Sequence, residues 1–298
     1  MPTEPPTTNT PKLNIAIIGG GIGGLCLAIG LLSHPHLAIH IYEAAPAFSE
    51  IGYANAARAL SLIDPSGKLN RAYEKCATHD ALRKREDVWF PIRHGQVGKD
   101  GEEVGRKIWT IRNERAGEKG RRARSCLHRA DFLKELVELI PEGVAEFGKA
   151  FKGFETLNGG ERVKVHFADG SSVTADVVIG CDGIKSAVRS AMMKDKGKNV
   201  QPVYTGDYAY RALVPTEAAE AVLPEELATC GSIYCGYTGY STNYPVSKGD
   251  FLNMIIIRKD PTADEREGQN PVWPHEQWQA PSTKGRCWKI SKVGILVC

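Results

Sequence analysis

The stretch Leu13-Asn14-Ile15-Ala16-Ile17-Ile18-Gly19-Gly20-Gly21-Ile22-Gly23-Gly24-Leu25 decides the fold. Its apolar run reads as a short strand, Gly19, Gly21 and Gly24 as a G-x-G-x-x-G turn, and Leu25–Leu32 as the helix that follows. In a dinucleotide site the first glycine makes the tight turn and the second lets the backbone approach the pyrophosphate. The third lets helix and strand pack closely, so the phosphates sit on the free N–H groups of the helix N-terminus. A second strand-like run, Ala38–Tyr42, ends in Glu43, nineteen residues after Gly24. An acidic side chain is needed there to accept hydrogen bonds from a ribose 2′-OH.

Leu13–Leu32 also has the apolar length and the small-xxx-small spacing, at Gly20 and Gly24, of a membrane helix. Five glycines within residues 19–24 make a poor helix, the flanks lack a basic cluster, and a span leaves the Glu43 spacing unexplained. Met1–Lys12, rich in Pro and Thr, does not read as a signal peptide and is expected to be a disordered tail. At 298 residues the chain is long enough for two closely associated domains. A hydrophobic content of 42% and a charged content of 24% are those of a soluble globular protein. The net charge of +3 gives no strong pull toward nucleic acid or membrane. Eight cysteines (Cys26, Cys76, Cys126, Cys181, Cys230, Cys235, Cys287 and Cys298) form no C-x-x-C pair. Neither a disulfide framework nor a zinc site is expected, and the expected location is cytoplasmic.

Further along, Ala54–Ile63 and Leu69–Cys76 read as helices, and Arg83–Val104 mixes short strands with charged turns. His34, His36 and His40 have no carboxylate pattern beside them to support a metal. Asn113–Arg124 is a basic, glycine-containing run that reads as a solvated loop. After it, Phe132, Leu133, Leu136, Leu139 and Ile140 recur at helical spacing, with Arg129 at the helix start. Position alone leaves Arg129 open between a phosphate contact and a surface ion pair. Arg162–Phe167 and Ser172–Ile179 read as two strands joined by the turn Ala168–Ser171. The second runs into Gly180-Cys181-Asp182-Gly183 and a helix over Ser186–Met193, a second strand–glycine–helix junction with a carboxylate at its tip. That carboxylate repels phosphate but accepts from ribityl or ribose hydroxyls. Val203–Val214 and Ser232–Ile257 read as antiparallel strands, and Arg258–Arg286 as loop.

In this order the motifs resemble the class A FAD-dependent aromatic monooxygenases of the salicylate-hydroxylase-like, fungal type. The pieces are Gly19–Gly24, Tyr42-Glu43 with Phe48-Ser49-Glu50-Ile51-Gly52, His128-Arg129-Ala130-Asp131 and Ala175–Gly183. Tyr204-Thr205-Gly206-Asp207, Tyr210-Arg211 and Tyr244-Pro245-Val246 complete them. The resemblance implies an α/β fold, a Rossmann-like FAD-binding domain with an antiparallel β-sheet substrate domain. It implies FAD held by Gly19, Gly21, Gly24, Glu43, Arg129, Asp182 and Gly183, with NAD(P)H as reductant. The implied reaction is hydroxylation of a phenolic or aromatic acid with O2, through a flavin hydroperoxide. Arg211 and Tyr244 fall where the family places substrate-facing and catalytic side chains. A guanidinium favours the phenolate by charge pairing, and a tyrosine OH holds the same oxygen. From the residues alone, a sheet-edge ion pair for Arg211 and sheet packing for Tyr244 remain open.

Two departures from the family pattern stand out. The loop after Gly52 lacks roughly five residues by pattern comparison, and the Gly-Asp segment expected after Arg286 is replaced by Cys287–Cys298. The expected organisation is a tail over 1–12, an FAD-binding domain over 13–195, a substrate-domain sheet over 196–286 and an atypical end over 287–298. The alternatives are an inactive truncated paralogue or gene-model fragment, and a flavoprotein oxidase or dehydrogenase.

Overall fold

The computed structural model describes residues 13–48, 57–78, 88–97, 100–112, 126–194 and 201–260. The tail over 1–12, the Ser49–Gly52 part of the Phe48 motif with the loop after it, the basic run 113–124 and the end over 287–298 lie outside these residues. The described chain divides into two units. One comprises residues up to Lys75 together with Arg129–Pro202, and the other Cys76–His128 together with the residues from Val203 onward.

The first unit is built around β1 (Leu13–Ile18), α1 (Ile22–Leu31) and β2 (Leu37–Tyr42). Strands β1 and β2 pair in parallel, so the connecting helix makes a βαβ crossover. Ile15, Ala16, Ile17 and Ile18 are all buried, as the uninterrupted apolar run requires of a strand covered on both faces. Helix α1 buries Leu25, Cys26, Ala28 and Ile29. Helices α2 (Ala57–Ile63) and α3 (Lys68–Cys76) follow. The buried Asp64 carboxylate accepts from Ser66 and from the first-turn N–H of Leu69, satisfying donors that the helix cannot.

Helix α4 (Arg129–Val137) buries Phe132, Leu133 and Leu136 at the predicted spacing, but it ends before Leu139 and Ile140. The Phe132 ring meets Tyr73 of α3 in a T-shaped contact. Further elements of this unit are β7 (Ala145–Glu146), β8 (Phe151–Leu157), β9 (Arg162–Phe167), β10 (Ser172–Ala175), β11 (Val177–Gly180) and α5 (Ala187–Met193). One sheet is parallel, in the order β11-β1-β2-β7, and β8, β9 and β10 form a separate antiparallel sheet. The two sheets share a core of Ala16, Ile18, Tyr42, Val165, Phe167, Ala175 and Val188.

The run Ser172–Ile179, which reads as one strand, is therefore two strands in two sheets. Asp176 divides them: its N–H donates to the Asn14 carbonyl (2.9 Å), and its carboxylate accepts from the Asn14 N–H (2.7 Å) and pairs with Arg162 (3.2 Å). A charge anchored this way cannot continue an apolar strand, and the chain changes sheets there.

The second unit holds β3 (Ala77–Thr78), β4 (Val88–His94), β5 (Lys107–Arg112), β6 (Cys126–Leu127) and β12 (Asp207–Pro215). It continues with α6 (Thr216–Glu220), α7 (Glu225–Thr229), β13 (Ser232–Gly236), β14 (Gly239–Val246) and β15 (Phe251–Lys259). Its main sheet has the order β12-β15-β14-β13-β4-β5. The sheet is antiparallel except where β13 lies parallel to β4, a pairing between residues about 140 apart that local pattern does not foretell. That pairing also moves the boundary. The continuous 13–195 domain of the sequence reading is interrupted, because β4 and β5 add to the second unit's sheet. Among the described residues no helix is long and apolar enough to cross a membrane.

Candidate functional site

The parallel sheet carries its glycine turns where its chain direction diverges. From β1 the chain crosses to β2 on one side, while β11 lies on the other. In open parallel sheets ligands bind in the crevice outside the carboxyl ends of the strands at such a point. Gly19 adopts φ +106°, a left-handed conformation open to glycine, and its N–H donates to the Tyr42 carbonyl (2.9 Å). A Cβ there would stand 2.5 Å from the Cys181 carbonyl oxygen and 2.8 Å from the Asp182 nitrogen. The first glycine turn and the Gly180–Gly183 turn are thus packed backbone against backbone. Gly24 closes the turn, since a Cβ on it would run into the Gly19 carbonyl.

Helix α1 begins beside this turn with Gly21 as N-cap, no side-chain cap and no acidic residue in its first turn. That end carries the positive pole of the helix and suits an anion. The Arg129 guanidinium reaches the same place, with Nη2 3.6 Å from where a Cβ of Gly21 would be. Position alone leaves Arg129 undecided; the packing of α4 against α1 brings it to the glycine turn.

Glu43 leaves the end of β2, and both of its carboxylate oxygens face backbone N–H groups. Oε2 accepts from Gly20 (2.6 Å) and Oε1 from Ala45 (2.9 Å). Asp182 lies at the turn through its main chain, but its side chain faces α5. Oδ1 accepts from the Ser186 hydroxyl (2.5 Å) and Oδ2 from the Val188 N–H (3.1 Å), while Ser186 caps the Arg189 N–H. Gly183 supplies the positive φ (+83°) that returns the chain into α5. Burial, and then the Asp182 charge, push the Cys181 thiol up.

Two residues not singled out by spacing join this group. The Phe48 ring lies against Gly20, and the Phe147 ring meets it in a T-shaped arrangement with centroids 4.8 Å apart. Phe147 follows β7 and reaches this place only because β7 pairs with β2, a two-residue pairing with no periodic signal.

Arg211 and Tyr244 belong to the second unit. Cross-strand register puts Arg211 opposite Ile255 and Ile255 opposite Thr242; Leu213, Asn253 and Tyr244 align likewise. Directly opposed residues share a face, as do residues two apart on one strand. Arg211 and Tyr244 therefore occupy one sheet face, two strands apart, roughly 10 Å across and about 7 Å along. The other face is taken by α6 and α7, whose Ala219 and Ala228 pack with Leu252, Val214 and Met254. Arg211 is exposed and Tyr244 half-buried. Among the described residues no group of three His, Cys, Asp or Glu side chains could hold a metal ion.

No protein-family model matches the chain. It is 40% identical over 261 residues to a 6-methylsalicylate 1-monooxygenase of Aspergillus terreus, covering 85% of this chain and 55% of the relative. It is 35% identical over 275 residues to a salicylate hydroxylase of Pseudomonas putida, covering 89% and 57%. Among solved structures, a salicylate hydroxylase substrate complex superposes with a TM-score of 0.68 at 31% identity, covering 91% of this chain and 60% of that one. The chain thus spans a little over half the length of the curated relatives that it matches.

Proposed function

The homologues of this chain are salicylate-hydroxylase-like FAD-dependent monooxygenases, and on that premise we propose that it binds FAD and serves NAD(P)H-dependent hydroxylation of a small phenolic or aromatic acid. The observation that carries the reading is the meeting of the Gly19–Gly24 turn, the α1 N-terminus, Glu43 and Arg129 at one end of the parallel sheet. The ADP end of FAD fits this group. The turn is a cradle that side chains at Gly19 or Gly24 would fill, with cationic and N–H donors above it and a carboxylate at ribose distance along the chain.

In this reading the α1 N-terminus and Arg129 hold the pyrophosphate, and Glu43 accepts from the adenosine ribose. The backbone at Asp182–Gly183 borders the same turn, while the Asp182 carboxylate keeps α5 in place. Bound FAD supplies the redox chemistry, with NAD(P)H as electron source and O2 as co-substrate. Arg211 pairs with the phenolate or carboxylate of the substrate and favours its ionised form, and the Tyr244 hydroxyl holds a substrate oxygen by hydrogen bond. The sharing of one sheet face by Arg211 and Tyr244 supports this division of roles.

The test is direct. Purified protein is expected to be yellow, to release FAD on denaturation, and to oxidise NAD(P)H faster when a phenolic acid such as salicylate is added. A colourless product that FAD cannot reconstitute overturns the proposal. Bound FAD with NAD(P)H oxidation that no aromatic acid accelerates overturns the hydroxylase part alone.

A further inference from the structure

We propose that Phe48, braced by Phe147, is a positioning residue for the nucleotide site, holding the Glu43 carboxylate against the glycine turn. The inference rests on the dinucleotide reading above. Beyond β2 the chain folds back along the segment after β7. The Glu43 N–H donates to the Glu146 carbonyl (2.9 Å), the Lys149 N–H to the Glu43 carbonyl (2.8 Å) and the Gly148 N–H to the Ala45 carbonyl (3.1 Å). These bonds fix the main chain, and the Gly20 and Ala45 N–H groups hold the carboxylate. Phe48 packs at the Gly20 end of that arrangement. A Cβ on Gly20 would stand 2.5 Å from Cε1 and 2.9 Å from Cδ1 of Phe48, and 3.1 Å from Glu43 Oε2.

Ring and carboxylate therefore converge on the same backbone unit. The T-shaped contact with Phe147, at 79°, braces the Phe48 ring. A ring beside the Glu43–Gly20 bond shields a charge-assisted hydrogen bond from water and strengthens it. A carboxylate already held in place loses less entropy when a ribose hydroxyl donates to it. The arrangement also accounts for glycine at position 20, which the G-x-G-x-x-G pattern leaves free: the Phe48 ring occupies the room that a side chain would need.

The experiment titrates ADP, FAD and riboflavin against the 298-residue protein and its F48A, F147A, F147Y, G20A and G20A/F48A variants, with unfolding midpoints recorded. F48A and F147A are expected to weaken ADP and FAD about tenfold while leaving riboflavin unchanged, and F147Y to retain wild-type affinity. G20A is expected to weaken ADP by a similar factor of about ten, and G20A/F48A no more than F48A, because the methyl then enters the space left by the ring. Unchanged ADP affinity in F48A overturns the proposal. So do additive losses in the double variant, or equal losses of ADP and riboflavin that track a falling midpoint. Wild-type protein that binds neither ADP nor FAD overturns the dinucleotide reading and this inference together. Wild-type binding that is indifferent to F48A overturns this inference alone.

Discussion

A methyl group on Gly24 would meet the Gly19 carbonyl oxygen and stand 3.4 Å from the Cys181 Cβ, whereas one on Gly23 meets nothing within 4 Å. The two neighbours should therefore respond oppositely to alanine. Gly24→Ala forces backbone to move and is expected to cost about 2–3 kcal/mol. Gly23→Ala, inside α1, is expected to gain about 0.5–1 kcal/mol from helix propensity. Denaturant midpoints of the two variants without added nucleotide check this, and equal midpoints would contradict the packing described. At this scale the motif glycines and Glu43 were legible, because their spacing reflects a backbone requirement. The side-chain direction of Asp182 was not. A carboxylate after a glycine turn suits a sugar hydroxyl as well as a helix end, and only the fold brings Ser186 and the Val188 N–H within its reach.

Between elements, the tie from Lys149 to the β9–β10 turn gives a pH signature. The Lys149 ammonium donates to Asp169 (2.9 Å) and Ser171 (2.9 Å) and lies over the Phe167 ring at 5.7 Å. Hydrogen bonds from Ser171 and then Lys149 hold the Asp169 carboxyl down to about 2. An unfolded aspartate titrates near about 3.9. The depressed group contributes stability that is present above about pH 4 and is lost as pH falls toward about 2. The contribution is small because the Asp169 carboxylate is exposed. The unfolding midpoint of D169N should accordingly fall less between pH 4 and pH 2 than that of wild type. Parallel loss in both would remove Asp169 as its source.

In the proposed function the sheet of the second unit carries the substrate-facing residues. Arg211→Gln is expected to lower kcat/KM for a phenolic acid by more than about tenfold, and Tyr244→Phe by about three- to tenfold. Neither lies on the elements that carry the glycine turn, so FAD content should be unchanged. Loss of FAD in either variant would reassign that residue. Period-two patterning foretold strands here. Placing both residues on one face required the register, because β15 lies between their strands.

At the scale of the whole molecule, the chain leaves its first unit after Lys75 and returns at Arg129, so neither unit is one continuous stretch. A fragment of residues 13–195 would hold β4 and β5 without β13, baring the edge of β4, the strand that carries the exposed Trp89. Such a fragment is expected to aggregate or to lack near-UV circular dichroism. A soluble, cooperatively unfolding fragment would refute the interrupted arrangement. The sequence by itself determined the βαβ unit, the glycine turn, Glu43 and the helical face of Phe132, Leu133 and Leu136. Each is encoded within a few tens of residues by steric need or by periodic burial. Only the tertiary structure decided that Arg129 stands over the turn, that Phe48 and Phe147 back Glu43, that Asp176 sends one apolar run into two sheets, and that β4 joins β13. Those outcomes depend on contacts between residues far apart in the chain, where packing and pairing energies, rather than local preference, select the partner.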